Sequence, residues 1–320
     1  MDTLPTTATT HDLTLTTALP VDRHPVAVYL ASLPSHHSRR NMARDLATIA
    51  GLLTAGRGDA QSLDWSALQY QHTAAVRAKL MEGYKPATVN HMLSALKGVL
   101  KECWRLGLMD AETYHRAVDL PTVKGETLPK GRALAIGELR ALFEACRNDL
   151  STAGRRDAAM LAVLCGGGLR RAEVVALDVA DYDPETGALT VRGKGRKERI
   201  VYATNGARDA LQTWLEERGE EAGPLFTRIG KGDRFSFDRL SDQAVLFILD
   251  HRRQQAGVKA FSPHDLRRTF ISTLWDAGAD GATIQKLAGH SSITTTARYD
   301  RRGEETKRRA AEMVHVPYVG

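Results

Sequence analysis

Cysteine is scarce in this chain: Cys103, Cys146 and Cys165 are the only three in 320 residues, and no two form a CxxC pair. An odd, scattered set excludes a disulfide framework and fits reduced thiols in a reducing compartment. No Cys/His cluster has ligand spacing, so no zinc site is expected. No apolar run reaches the ~18 residues that indicate a membrane span. The N-terminus has neither a basic n-region nor an apolar stretch after it, so no secretory leader and no membrane partner are expected, and the expected location is cytoplasmic. There is also no Walker-type phosphate loop and no carboxylate cluster of the kind that holds Mg²⁺.

What remains is the composition of an ordinary globular protein, with a hydrophobic fraction of 42% and a length that accommodates two domains. The formal net charge is +6, and the isoelectric point is about 9.3. That mild basic excess is compatible with a polyanionic partner but does not by itself identify one.

Residues 1–22 are rich in Thr and hold no Lys or Arg, and read as a disordered tail. Residues 23–120 read as an all-helical domain. Ser38 is placed to cap a helix carrying Met42, Leu46, Ile49, Leu52 and Leu53, and 56–59 (Gly-Arg-Gly-Asp) breaks it. A second helix is expected over Trp65–Met81. A third opens at Pro86 and carries Val89, Met92, Leu93, Leu96, Val99 and Leu100. Basic residues stud this region, among them Arg39, Arg40, Arg44, Lys85 and Lys97.

Residues 121–132, with their prolines, glycines and charges, read as a linker, and 133–303 as a larger domain. Its clear β signal is Ala188–Arg192 followed by Glu198–Tyr202, two strands joined by a glycine-containing turn. Helices dominate elsewhere, with loops near Gly230 and Ser262. The fold class is therefore mainly α with a small antiparallel β-sheet.

Five local patterns follow one another in this second region. Gly168-Leu169-Arg170 is followed by Glu173, three residues after the arginine and so on the same helix face. The hairpin tip reads Gly193-Lys194-Gly195-Arg196-Lys197-Glu198-Arg199. Pro263 opens a helix that puts His264 and Arg267 on one side. Leu287-Ala288-Gly289-His290 reads as a helix end with the histidine on a turn, and Tyr299 follows nine residues later. Taken singly these are a surface ion pair, a charged hairpin, a polar helix face, a solvated histidine and a tyrosine at the rim of a core.

Together and in this order they resemble the tyrosine recombinase (phage integrase) family, most closely its Xer-type members. The resemblance covers residues 24–315 in layout and 160–300 in motifs. The last box reads Thr-Thr-Ala-Arg-Tyr-Asp, where a Tyr-Thr/Ser-His ending is usual in the Xer subgroup. The resemblance implies a helical core-type DNA-binding domain and a mixed α/β catalytic domain. It implies a catalytic set of Arg170, Lys194, His264, Arg267, His290 and Tyr299, supported by Glu173, with no metal and no cofactor. The partners it implies are double-stranded DNA bearing a specific site, a tetramer on two such sites held like a C-shaped clamp, and a related recombinase or accessory protein.

The residue chemistry agrees. Two guanidiniums, Arg170 and Arg267, suit the charge that builds on a phosphodiester under attack. A tyrosine hydroxyl, with its pKa of ~10, needs a proton acceptor, and His264 can serve. His290 can donate to the phosphate, and Lys194 can protonate the departing 5′-oxygen. Arg39, Arg40, Arg44, Lys85, Lys97, Arg196 and Lys197 are candidate DNA contacts. Residues 304–320 form either a helix that docks on a neighbouring protomer or a local cap. A DNA-relaxing, topoisomerase-like enzyme and a non-catalytic accessory protein stand as alternatives.

Overall fold

The computed structural model describes residues 13, 19–125, 131–193, 197–300, 303, 304, 308, 311–315 and 317. It divides into two compact units, Met1–Pro129 and Lys130–Gly320.

In the first unit the helices are α1 (Pro25–Ser32), α2 (His36–Leu53), α3 (Tyr70–Gly83), α4 (Pro86–Arg105) and α5 (Ala111–Val118). Pro86 occupies the first turn of α4, where its missing N–H costs nothing. The apolar residues from Val89 to Cys103 recur at three- and four-residue spacing, and all of them are buried. That stripe is wide enough for α4 to pack against α1, α2, α3 and α5. The N-cap of α2 is Ser35, not Ser38: the Ser35 hydroxyl accepts the Ser38 N–H at 3.1 Å, so the helix starts a turn earlier than expected. Trp65–Ala67 is a separate 3₁₀ turn ahead of α3. Leu13, within the stretch expected to be disordered, packs on this core, and its carbonyl accepts the Asp64 N–H at 2.7 Å. Residues 1–12 and 14–18 lie outside the described residues.

The chain leaving this unit is held to it by side chains. Arg77 donates to the Pro121 carbonyl at 3.0 Å, and Asn90 makes a reciprocal pair of bonds with the Val123 backbone. Lys97 is half-buried and donates to the Leu120 carbonyl at 3.0 Å. It therefore fastens its own chain. Arg39, Arg40, Arg44 and Lys85 are exposed.

The second unit contains α6 (Ile136–Asn148), α7 (Thr152–Gly166), α8 (Arg171–Ala176), strands β1 (Ala188–Arg192) and β2 (Glu198–Tyr202), and α9 (Gly206–Arg218). Strands β3 (Thr227–Gly230) and β4 (Arg234–Arg239) follow, then α10 (Asp242–Gln255), α11 (Pro263–Asp276), α12 (Gly281–Ala288) and α13 (Ile293–Ala297). Residues 159–164 of α7 are buried on every side, as a central helix requires, and α7 packs on α6, α8, α9 and α11. β1 and β2 are the two expected strands, and they pair antiparallel from Ala188↔Tyr202 to Arg192↔Glu198. β3 and β4 form a second hairpin where only a loop is expected. Its turn residue Asp233 accepts the Thr152 N–H at the start of α7, which ties the hairpin to the core.

Among the described residues no helix is long and apolar enough to cross a membrane. Cys103, Cys146 and Cys165 are unpaired, and burial pushes each thiol up to about 12, which leaves them poor nucleophiles.

One polar cluster lies inside the second core. Asp157 accepts from Arg156 (2.9 and 2.7 Å) and from Arg252 Nε (2.8 Å), while Arg252 also reaches Asp149 at 2.7 Å. Asp157 is 3% exposed, so its removal takes the shared carboxylate from two buried guanidiniums and leaves Arg156 with a carbonyl alone. Asp157→Ala should therefore lower stability by ~3–5 kcal/mol in urea unfolding of the full chain. A loss below ~1 kcal/mol, the scale of an exposed pair, would show that the cluster is dispensable.

Candidate active site

The site is built on the end of one helix. α12 stops at Gly289, whose φ of +62° is the left-handed conformation that glycine adopts without strain. The turn leaves the Leu287, Ala288 and Gly289 carbonyls beyond the reach of further helical N–H groups. Each accepts from a different arginine: Leu287 from Arg199 Nε at 2.9 Å, Ala288 from Arg267 Nη2, and Gly289 from Arg170 Nη2 at 3.1 Å. Three cations at the negative end of a helix are favourably placed with respect to its dipole.

Arg267 projects from α11 into the core and is 1% exposed. Its Nη1 donates to the Gly168 carbonyl at 2.6 Å. Gly168 has φ +61°, and a Cβ there would come within 2.3 Å of Phe270, so the turn that aims this carbonyl needs glycine. Burial first, then Arg170 and Arg199, lower the Arg267 pKa to about 10. The group is still a cation at neutral pH.

Arg170 caps the start of α8, with its side chain 45% exposed. Its Nη1 donates to Glu173 Oε1 at 2.7 Å and its backbone N–H to Oε2 at 2.8 Å. Glu173 is 5% exposed. Burial opposes its ionisation, but the Arg199 hydrogen bonds, with the Arg170 N–H and guanidinium, outweigh it and hold the carboxyl down at about 2.

The Tyr299 hydroxyl lies 3.1 Å from His264 Nε2. The tyrosine sits in the turn after α13, half-buried, with its ring packed on the small core of Phe270, Ile271, Trp275 and Ile284. The His290 ring is stacked near it at a centroid distance of 6.0 Å, and the Arg268 guanidinium lies 5.2 Å from the ring centroid. His290 Nδ1 is 2.9 Å from Thr296 Oγ1, and Thr296 is fully buried. Both histidines are shifted toward the neutral form. For His264 the cause is burial first, then Arg267 and Arg268. For His290, burial and then Arg267 and Arg170 lower the pKa to about 4.

The structure thus brings Arg170, Glu173, His264, Arg267, His290 and Tyr299 together. Lys194 and Arg196 lie outside the described residues, and Lys197 is exposed. Three contributors carried no assigned role in the sequence reading: Arg199, Arg268 and Thr296. For Arg199 a signal existed, because β2 alternates and Arg199 shares the inward face with buried Val201. Among the described residues no group of three or more His, Cys, Asp or Glu could hold a metal ion.

Residues 132–305 match the phage integrase family. The chain is 33% identical over 271 residues to the tyrosine recombinase XerC of Pelobacter propionicus, covering 83% of this chain and 84% of that protein. It is 35% identical over 228 residues to the tyrosine recombinase XerD of Pseudomonas aeruginosa, covering 69% and 73%. Among solved structures, the Tn1549 transposon integrase in complex with transposon right end DNA aligns with a TM-score of 0.66 at 17% identity, covering 92% of this chain and 99% of that one. The XerH recombinase bound to a palindromic difH substrate aligns at 0.65 and 18%, covering 92% and 95%. At such identities the structural likeness bears on the fold.

The histidine environment has a measurable consequence. The unfolded chain takes up a proton at His290 near the ordinary 6.5, whereas the folded chain does so only near about 4. The stability contributed by the neutral ring is therefore complete above ~6.5 and is lost progressively as pH falls toward ~4. The His290 Cε1–H resonance should stay constant from pH 7.5 to pH 5.5. A midpoint near 6.5 would mean that the ring is solvated and not packed among the arginines.

Proposed function

The chain belongs to the phage integrase family, and from that premise we propose that it is a site-specific tyrosine recombinase that cuts double-stranded DNA with Tyr299 and exchanges the strands between two sites. The observation that carries the catalytic assignment is the Tyr299 hydroxyl 3.1 Å from His264 Nε2, beside two arginines held on carbonyls and a buried carboxylate. Its relatives are named tyrosine recombinases, and solved proteins of the same fold are bound to DNA.

In the cleavage step the Tyr299 oxygen attacks the scissile phosphorus, and its proton passes to His264 Nε2. The depressed basicity of His264 favours the neutral ring, and the tautomer with its proton on Nδ1 leaves Nε2 ready to accept. Arg170 and Arg267 bind the non-bridging oxygens as negative charge grows on them. His290 Nδ1 is hydrogen-bonded to the Thr296 hydroxyl, and in the tautomer in which Nδ1 accepts, the Nε2 proton is kept for the phosphate. Lys194 protonates the 5′-oxygen as the P–O5′ bond breaks. The products are a 3′-phosphotyrosine and a free 5′-hydroxyl. Attack by the 5′-hydroxyl of a partner strand reverses the chemistry and releases the tyrosine. One phosphodiester is exchanged for another, so no nucleotide is consumed. The guanidiniums supply the charge neutralisation that a divalent ion supplies elsewhere, and the reaction runs without metal or ATP.

Exchange between two duplexes breaks four strands, one per protomer, so the working form is a tetramer on two sites. A related recombinase or an accessory protein fits beside this chain in such an assembly. The exposed Arg39, Arg40, Arg44, Lys85 and Lys197 suit phosphate contacts. The DNA-relaxing and accessory readings are not favoured, since the relatives are recombinases.

The test begins by selecting the bound site from random duplexes, then nicking that site to trap the covalent product. The wild-type chain should give a denaturant-resistant adduct, with or without EDTA. Tyr299→Phe should bind the same duplex and give none. An adduct of normal yield in that variant would remove the central assignment, and loss in EDTA restored by Mg²⁺ would remove the metal-free mechanism.

The role of Lys194 separates from that of the arginines by leaving-group chemistry. A thiolate departs without protonation, since a thiol has a pKa of only ~8.5. Lys194→Ala should cleave the normal substrate ~10²–10⁴-fold more slowly, and sulphur at the bridging 5′-position should erase most of that defect. Arg170→Ala should gain no comparable rescue. Equal rescue of both variants would refute the division of roles.

A further inference from the structure

Arg199 takes no part in the chemistry above, yet its side chain is only 12% exposed and is bound at three points. Nη1 and Nη2 grip Glu173 Oε1 and Oε2 at 2.9 and 2.8 Å, and Nε donates to the Leu287 carbonyl at 2.9 Å. Each Glu173 oxygen takes one further bond from Arg170, at 2.7 and 2.8 Å. The guanidinium stem also lies against Gly289, where a Cβ would come within 2.9 Å of Arg199 Cδ. In sequence, Arg199 follows the 193–197 link that contains Lys194.

We propose that Arg199 is a positioning residue for strand cleavage. Through Glu173 it fixes Arg170, and through Leu287 it holds strand β2 against the helix end that presents His290. This rests on the recombinase reading above. The physical need is plain. The Arg170 side chain is nearly half exposed and would sample many rotamers on its own. It is anchored at Nη2 by the Gly289 carbonyl and at Nη1 and the backbone N–H by the Glu173 carboxylate, and a carboxylate held by a two-pronged guanidinium cannot turn about its last bond. Lysine in place of Arg199 would keep the charge but not the fork, nor the third bond to Leu287.

The experiment uses the full-length chain and the nicked duplex built on its selected site. Single-turnover cleavage, affinity for the duplex and the thermal midpoint are read for Arg199→Ala and Arg199→Lys. Cleavage by Arg199→Ala should fall ~10²-fold, the scale of a catalytic group misplaced by about 1 Å, while affinity changes little. Arg199→Lys should recover only a small part of that loss and, because it keeps the cation, decides the question if the alanine variant folds poorly. The readout that a purely structural ion pair would not move is coupling. Against an Arg170→Lys background, where Arg170 can no longer use the Glu173 anchor in the same way, adding either Arg199 substitution should cost far less than it does in the wild-type chain. Wild-type cleavage by Arg199→Lys, or an undiminished cost in the Arg170→Lys background, would overturn the positioning role while leaving the recombinase reading intact. Absence of any Tyr299 adduct from the wild-type chain would overturn both.

Discussion

Leu287, Ala288 and Gly289 present three consecutive carbonyls at a helix end, and three arginines from three different elements converge on them. A helix terminus must satisfy its last carbonyls somehow. Here the partners are long cationic side chains from β2, α11 and the start of α8. Each arginine loses rotamer freedom and gains a fixed donor geometry. The left-handed glycine that ends α12 is thus what allows the cationic side of the site to assemble. A non-glycine residue there would meet both the φ penalty and the Arg199 side chain.

Electrostatics then decide what the assembled site can bind. Arg170, Arg199 and Arg267 crowd the helix end, and Glu173 is the buried carboxylate that answers two of them. Arg267 is bound to the Gly168 and Ala288 carbonyl dipoles, which orient its charge without cancelling it. Burial first, and then the same crowding, drives protons off His264 and His290. A site with a surplus of fixed cations and neutral imidazoles favours an anion as its occupant, and it also has an acceptor ready for a hydroxyl proton. These two needs are those of phosphodiester attack by an alcohol.

This arrangement explains how much was legible beforehand. Three of the five motifs each supply one arginine to the helix end that the fourth provides, and the fifth brings Tyr299 to His264, which is why the motifs are ordinary singly and specific together. Local rules also sufficed for α4, whose apolar stripe is long and regular, and for the β1–β2 hairpin, whose two strands and turn are adjacent in sequence. They failed where a distant partner decides. Phe235 and Phe237 alternate in β4, but every residue of that strand is only partly buried or exposed, so the sequence shows no buried stripe. The hairpin is held by Ile229 and Phe235 on the core and by Asp233 at the start of α7, 81 residues away in sequence. Lys97 looks like any surface lysine until the chain at Leu120 returns to it. Thr296 sits in a run of three threonines, and only the fold selects the one that touches His290.

The two sides of the site are held with unequal firmness, and the difference bears on the reaction. The arginine side is anchored by buried ion pairs and carbonyls. The nucleophile side is α13, a five-residue helix in which Thr296 alone is buried, followed by a half-buried Tyr299 in a turn. Short exposed elements with few apolar contacts open at lower free-energy cost than a packed core. The phosphate must keep one geometry through cleavage and rejoining, because charge develops on the same oxygens in both directions. The tyrosine, by contrast, alternates between a free hydroxyl and an ester and must admit and release DNA. A rigid cationic cradle facing a lightly held nucleophile meets both demands, and the stacked His290 ring with its Thr296 hydrogen bond is the link that keeps the second side in register with the first.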